Sequence, residues 1–468
     1  MSSTTTLRDE LKPEAAAAPA TADAAPTIAH AKAKKIQIVV VGGGAAGLEL
    51  VAKLGRKFGR ERYDIILLEK NPTHIWKPLL HEVAAGSLDA NLDELGYRGH
   101  GHRFGYRFFM GSFSGIDRER REVIVAPLHD EDGVEIMGEH RIRYDYLVIA
   151  VGSVANDFGT PGVAENCLFL ESREQADRFR QKLLNHCLRV SRTMMKFPDA
   201  DEYVKIGIVG GGATGVELAA ELFNAAGALK HYGLEVFDET RLKVTLLEAG
   251  PRILPALPEE LAEAATEELR ELGVNVVTGA QVTEVTPRGI KTKDGGTVVA
   301  DLRVWAAGVK APDYLREMAG LESARGGQLV VKETLQTTRD ERIFAIGDCC
   351  FFVPEGAERP IPPRAQAAHQ MAETAFKNIC ALIAKRPLKP FKYNDHGSLV
   401  SLSRFETVGS LMGNLVGGRM AVEGRLARFV YMSLYRMHLL GIHGWLRGMF
   451  LIAVGHVNQV VRPKLKLH

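Results

Sequence analysis

The chain has 468 residues, too many for one ordinary core, and its 46% hydrophobic and 25% charged residues are globular in proportion. A net charge of +2 leaves no basic excess to pair with phosphates, so nucleic acid is not an expected partner. Five cysteines (Cys167, Cys187, Cys349, Cys350, Cys380) form no even framework and no CxxC, which points to a reducing compartment and to no metal site.

Residues 1–33 are a low-complexity run of Ala, Thr, Pro and Ser, expected to be a disordered tail. They lack the continuous apolar stretch of a secretory signal. Ordered structure is expected to begin at "KKIQIVVVGGGAAGLELVAKL". Ile36–Val41 is apolar and β-branched, as suits a strand buried on both faces. It runs into Gly42-x-Gly44-x-x-Gly47 and then a helical pattern. In that spacing the first glycine makes a tight turn, the second lets the backbone approach a pyrophosphate, and the third lets helix and strand pack closely. The helix N-terminus then offers free N–H groups to the phosphates. A second strand, "YDIILLEK", ends at Glu69, whose carboxylate suits a ribose hydroxyl.

The device repeats. "YVKIGIVGGGATGVELAAEL" carries Gly210, Gly212 and Gly215, and "LKVTLLEAG" ends at Glu248. About a dozen extra residues near "HYGLEVFDET" are expected as a surface excursion. A carboxylate at Glu248 favours a 2′-hydroxyl over a 2′-phosphate and so NADH over NADPH, with Arg252 close enough in sequence to blur the preference. Two dinucleotide sites in one chain imply electron traffic between them.

"YDYLVIAVGS" and "ERIFAIGDCC" are buried-strand patterns ending at Gly152 and at Gly347-Asp348. In flavoproteins with two dinucleotide domains, which these segments resemble, the Asp binds the ribityl chain of FAD; a plain strand-end turn is the other reading of Asp348. That resemblance assigns Gly42, Gly44, Gly47, Glu69 and Asp348 to FAD, and Gly210, Gly212, Gly215 and Glu248 to NADH. "LRVWAAGVKAP" is the strand at which the chain returns to the FAD side. After Glu69 the chain reads "NPTHIWKPLLHEVAAGSLD", without Cys, which excludes disulfide-reductase chemistry there and disfavours sulfide oxidation. Adjacent Cys349 and Cys350 read as buried thiols rather than as a redox pair.

The strip "IPPRAQAAHQMA" (361–372) has no nucleophile, and its histidine is expected to have no nearby carboxylate as an acid–base partner. Pro362 and Pro363 suit a helix start, Gln366 and Gln370 share one face at i and i+4 with His369 beside them, and Ala365, Ala368 and Ala372 form a narrow neighbouring face. A neutral amide can donate to a carbonyl of an apolar ring without presenting a charge to it. The alternative is a surface helix with solvated glutamines.

Together, "HIWKPLLHEVAAGSLD", "VGGGATGVELAAEL", "RILPALP", "QTTRD", "AIGDC", "PPRAQAAHQMA", "DHGSLVSLS" and "EGRLARFVYMSLYRMH" resemble the type II NADH:quinone oxidoreductases, most closely the proteobacterial enzyme. The resemblance covers about residues 34–468. It implies an α/β fold of two Rossmann-like domains, with an FAD-binding part at 34–160 and 309–395, an NADH-binding domain at 161–308, and a membrane-association or dimer region at 396–468. It implies non-covalent FAD, hydride transfer from NADH to flavin N5, and two electrons onward to a membrane quinone without proton pumping. It further implies a homodimer, peripheral on the cytoplasmic face of the inner membrane.

Residue by residue, the resemblance adds Ala45, Ala46, Lys70, Lys77, Gly152, Gly347, Ala365 and Gln366 to the FAD set, and Thr214, Glu217 and Gly308 to the NADH set. Gln366, His369, Gln370 and Arg425 fall at the quinone, the first two glutamine positions matching the family's AQxAxQ motif. His369 either passes a proton or closes the wall between two glutamines. Glu217 either lies near the nicotinamide or complements a helix dipole, with Glu221 as its rival. Lys77 lies either near the flavin ring or in solvent. The rivals in function are a sulfide:quinone reductase, a reductase of a protein partner, and a silent FAD-binding membrane protein.

No window offers the roughly 20 apolar residues of a spanning helix; "GMFLIAVGHVNQVV" is interrupted by Gly455, His456 and Asn458. From Arg425 an amphipathic pattern runs through Leu426, Phe429, Val430, Leu434, Met437, Leu440 and Leu446, with Arg428, Arg436, Tyr431, Tyr435 and Trp445 as interfacial types. Arg462, Lys464 and Lys466 add charge for anionic lipid. Packing on the protein itself is the alternative to a lipid anchor.

Overall fold

The computed structural model describes residues 35–229, 234, 237–402, 406–413, 418–423 and 435–461. The tail at 1–33, Arg425 and its neighbours through Leu434, and the basic 462–468 end lie outside them.

Strand β1 (Ile36–Val41) runs into helix α1 (Ala45–Phe58) and strand β2 (Tyr63–Glu69). A short helix α2 (Leu80–Ala85) follows, then β3 (Arg107–Met110) and β4 (Tyr146–Ile149). The chain then builds β5 (Val204–Val209), α3 (Ala213–Leu229), β6 (Leu242–Leu247), β7 (Asn275–Val277) and β8 (Leu302–Trp305). It comes back as β9 (Gln336–Thr337), β10 (Asp340–Ala345) and α4 (Ala365–Ile383). The last elements are β11 (Gly397–Leu402), β12 (Glu406–Gly413), β13 (Gly418–Glu423), a helical stretch at 435–443 and α5 (Trp445–Val461).

Two sheets organise the molecule. One runs β9-β10-β4-β1-β2-β3 and the other β7-β6-β5-β8. Except at β9, which pairs antiparallel with β10, the pairs in both sheets are parallel. Parallel strands covered on both faces must be apolar throughout, and Ile38, Val39, Val40, Ile65, Ile66, Leu67, Leu147 and Val148 are all at most 1% exposed. The first sheet is assembled from two separated segments: β10 joins β4, with Leu147 opposite Ile343, only after the second sheet has been completed. That return brings the loops after β1, β4 and β10 to one edge, the crevice where open α/β sheets bind ligands.

The insertion near "HYGLEVFDET" is not a surface excursion where it is described. Phe237 is fully buried and Leu234 nearly so, both packed with α3 and β6 residues in the second core, because an apolar pair in a long connection gains most by covering a helix. Among the described residues no helix is long and apolar enough to cross a membrane.

Candidate functional site

The two glycine turns repeat nearly atom for atom. A Cβ on Gly42 (φ +100°) would lie 2.3 Å from Ala150 O, and one on Gly210 (φ +113°) 2.4 Å from Ala306 O. A Cβ on Gly47 would meet Gly42 O at 1.9 Å, and one on Gly215 would meet Gly210 O at 2.0 Å. Gly44 and Gly212, by contrast, face open space within 4 Å. Close packing therefore requires two glycines in each turn, and ligand approach explains the third. Gly44 caps α1 without a side-chain hydrogen bond, leaving first-turn N–H groups for an anion.

Both acid-ended strands fold back onto their own turn. Glu69 accepts from Gly43 N–H at 2.8 Å and Asn71 N–H at 3.1 Å. Glu248 accepts from Gly211 N–H and from Gly250 N–H, each at 2.7 Å. Arg252 does not join Glu248: its guanidinium donates to the carbonyls of Leu254, Pro255 and Leu257.

At the edge of the first sheet, Ser153 Oγ donates to Asp348 Oδ2 at 2.8 Å, and Lys77 Nζ to Ser153 O at 3.2 Å. Burial pushes the Asp348 carboxyl above the usual range, against the Ser153 hydrogen bond and the Lys77 charge. A carboxylate held this far from water suits a hydroxyl-rich ligand chain. Gly152 (φ +72°) and Gly347 (φ +74°) flank it, with Ala46 and Ala368 Cβ about 4 Å from where a Gly347 Cβ would be. The uncapped α1, the open face of Gly44 and the buried Asp348 together fit the ADP and ribityl halves of FAD. Lys70 and Thr214 are exposed, and Gly308 (φ +147°) accepts from Asn156 N–H.

Helix α4 starts at Ala365 with Arg364 as its extended N-cap, so both prolines lie just outside it rather than in its first turn. The residue before a proline is pushed extended, which delays the helix by one further residue. Gln366 and Gln370 do share a face, and that face is a clamp. Gln366 donates to Asp395 Oδ1 (3.1 Å) and Gly397 O (3.0 Å) and accepts from His396 N–H. Gln370 exchanges two hydrogen bonds with the backbone of Asn394. Both N–H donors of Gln366 are therefore committed to the 394–397 turn, where Arg364 also pairs with Asp395.

The expectation that His369 lacks a carboxylate partner is overturned. Glu49, on α1, is 1% exposed, and its Oε2 lies 2.7 Å from His369 Nδ1. Sequence separation hid the pair, because α1 and α4 meet only in the tertiary fold. Lys53 Nζ pairs with Glu49 Oε1 at 2.6 Å and with Glu373 at 2.5 Å. Burial lowers the Lys53 pKa, but Glu49 and Glu373 outweigh it and the net shift is upward. Glu49 stands two residues after Gly47, as Glu217 stands two after Gly215. Glu217 has a histidine too: His81 Nδ1, on α2, is 3.5 Å away, and both side chains are buried. That repeated position was the signal available for Glu49.

Ala45, Glu49, Trp76, Ala365, Gln366, His369, Met437 and His438 line one pocket. The 435–443 helix covers it: His438 stacks on Trp76 with ring centroids 4.2 Å apart and meets His74 Nε2 at 3.0 Å. Trp76 and His438 were not singled out in the sequence. Cys349 and Cys350 are buried thiols, with burial pushing Cys349 up to about 12.

Residues 36–372 match the family described as pyridine nucleotide-disulphide oxidoreductase. A type II NADH:quinone oxidoreductase of Haemophilus influenzae is 49% identical over 92% of this chain and 99% of its own length. One from Staphylococcus aureus is 30% identical over 82% and 92%. Among solved structures, NDH2 of Plasmodium falciparum in complex with NADH superposes with a TM-score of 0.76 at 19% identity, covering 92% of this chain and all of that one. The sulfide:quinone oxidoreductase of Aquifex aeolicus superposes at 0.67, also at 19%, covering 92% and 96%, which shows a shared fold alone. A matching family over most of the chain, two intact dinucleotide turns and a relative alike over nearly its whole length lead to one conclusion: this chain belongs to the type II NADH:quinone oxidoreductases.

Proposed function

We propose that the chain takes electrons from NADH at the Gly210–Gly215 turn and delivers them to a quinone in the pocket beside α4, with FAD bound between. The observation that carries this is the pair of matched glycine turns in one chain, each with an acid-ended strand, the first of them beside a pocket of different chemistry that Ala45 and Glu49 help to line. FAD, when bound, supplies the two-electron carrier that separates oxidation of NADH from reduction of quinone.

The chain's own residues hold and orient. Gly42, Gly44 and Gly47 with the N-terminus of α1 hold the pyrophosphate of FAD, Glu69 its ribose and Asp348 its ribityl chain, with Lys77 and Ser153 keeping Asp348 in place. Gly210, Gly212 and Gly215 hold NADH, and Glu248 selects its 2′-hydroxyl; Arg252 is turned away and offers a 2′-phosphate no charge partner. Glu217, locked by His81, faces the nicotinamide side. Gln366 and Gln370 shape the quinone wall by clamping 394–397, and Ala365 leaves room for a flat ring. The division into an FAD part (34–160 and 309–395) and an NADH part (161–308) follows the two sheets. Buried thiols and the absence of a Cys beside the α2 segment argue against sulfide chemistry.

A quinone of the membrane requires contact with lipid. Trp445, Leu446, Phe450 and Val457 on α5 are 61–77% exposed, an apolar row suited to the interfacial layer. The cytoplasmic face and a homodimer rest on the family resemblance.

The test is a pair of anaerobic half-reactions on Gln366→Phe. Bleaching of the flavin by NADH should be unchanged, and its recovery with a short-chain quinone should slow by roughly 10-fold or more, as for a misplaced reactant. Equal loss in both halves would sink the assignment of the pocket.

A further inference from the structure

Three elements converge on one buried carboxylate. Glu49 comes from α1, His369 from α4, and the 435–443 helix closes over both. A Cβ on Gly441 would stand 3.2–3.4 Å from the Glu49 carboxyl, so this helix passes directly above it. Arg56 ties the same helix down, donating to Gly441 O at 2.7 Å and to Ile442 O. Water is thereby kept from Glu49, while the His369 side chain stays 38% exposed.

An imidazole has two nitrogens, and a carboxylate at one of them decides the work of the other. With Nδ1–H donating to Glu49 Oε2, only Nε2 remains for a molecule in the pocket that the ring lines. The carboxylate also supports positive charge on the ring. Lys53 and Glu373 hold that carboxylate in place without reaching the pocket-lining set. On the covering helix, His438 interacts electrostatically with His369 and has His74 behind it.

We propose that Glu49 is a positioning residue for quinone reduction, fixing His369 so that its Nε2–H supplies the solvent-derived proton of the quinol. The proposal rests on the reading that this pocket takes the quinone. The overall balance is NADH + H+ + quinone → NAD+ + quinol, with the nicotinamide oxidised and the quinone reduced by two electrons. One quinol proton originates with the hydride of NADH and the other must come from solution. In this step the Nε2–H bond of an imidazolium breaks and an O–H bond forms at a quinone oxygen. The neutral ring keeps Nδ1–H on Glu49 and regains its Nε2 proton from water at its exposed side. A proton donor placed this way contributes on the order of 100-fold or more to such a transfer.

The experiment uses full-length, FAD-loaded enzyme with Glu49→Gln, Glu49→Asp and His369→Ala. Bleaching by NADH should keep its wild-type rate in all three. Reoxidation by a short-chain benzoquinone should slow by roughly 10–100-fold in Glu49→Gln and His369→Ala and recover in Glu49→Asp. Quinone affinity in Glu49→Gln, followed by fluorescence of Trp76 at the pocket, should stay near wild type. Unchanged reoxidation in Glu49→Gln, or slowed reoxidation that Glu49→Asp does not recover, overturns the proposal. A separate Ala365→Trp variant tests the pocket: if it binds and reduces quinone normally, the site reading itself fails, whatever Glu49 does.

Discussion

The two glycine turns use the same backbone and end in different surroundings. Each places a glutamate two residues past its last glycine, and each glutamate meets a histidine from another element. In the half built on Gly210–Gly215, His81 and Glu217 are both buried between α2 and α3, so the pair locks helices together. In the half built on Gly42–Gly47, Glu49 is buried but His369 is partly exposed and lines a pocket. A duplicated fold thus keeps its phosphate-binding geometry, because sterics allow little else. The outer partner of the glutamate decides whether the pair is a lock or a proton donor.

The comparison breaks first at the glycines. A methyl group at Gly47 or Gly215 lands at about 2 Å from a carbonyl oxygen, a strain of roughly 1–3 kcal/mol and about 10–100-fold in affinity. Gly47→Ala should give protein that loses its flavin colour on gel filtration. Gly215→Ala should stay yellow but bleach only at much higher NADH concentration. If both variants lose flavin alike, the halves are not separate sites.

The next effect sharpens the lock. Burial drives the pKa of His81 from 6.5 down to about 4, against the pull of Glu221. A depressed folded-state pKa means that the stability from neutral His81 is complete above about 6.5 and is lost as pH falls towards 4. Between pH 7 and 4.5 this amounts to about 2–3 kcal/mol. Urea unfolding should show wild-type stability falling over that window and His81→Gln falling by less. Equal acid sensitivity in both proteins would remove His81 from the account. A smaller effect belongs to Glu248. Glu248→Gln keeps the hydrogen-bonding shape and loses the charge, so the preference for NADH over NADPH should narrow by about 10-fold in kcat/KM.

Most of the scaffold could be read from residue types alone. The β-branched runs ending in spaced glycines specify strand, turn and helix locally, and Asp348 announces itself by ending a buried strand pattern. The clamp at 394–397 could not be read in this way. Gln366 and Gln370 have the right spacing for one helical face, but which backbone that face meets depends on where the chain turns after α4. Glu49 carries no mark of its role in the sequence for the same reason, since its partners are His369 and the covering helix. Periodicity reports which side of a helix is covered and says nothing of what covers it. The buried Phe237 shows the converse error, in which a long connection was taken for surface although it carries core residues.

The split first sheet also has a consequence for the order in which the protein can be made. Ser153 and Asp348 are 195 residues apart, and Glu49 and His369 are 320 apart. A growing chain that has completed β8 already owns every strand of the second sheet, yet only four of the six strands of the first. Contacts between such distant residues form late in folding. The crevice at the edge of the first sheet is therefore finished last, and a translation product ending before β10 would carry a complete second sheet beside an unfinished first, without Asp348 or His369.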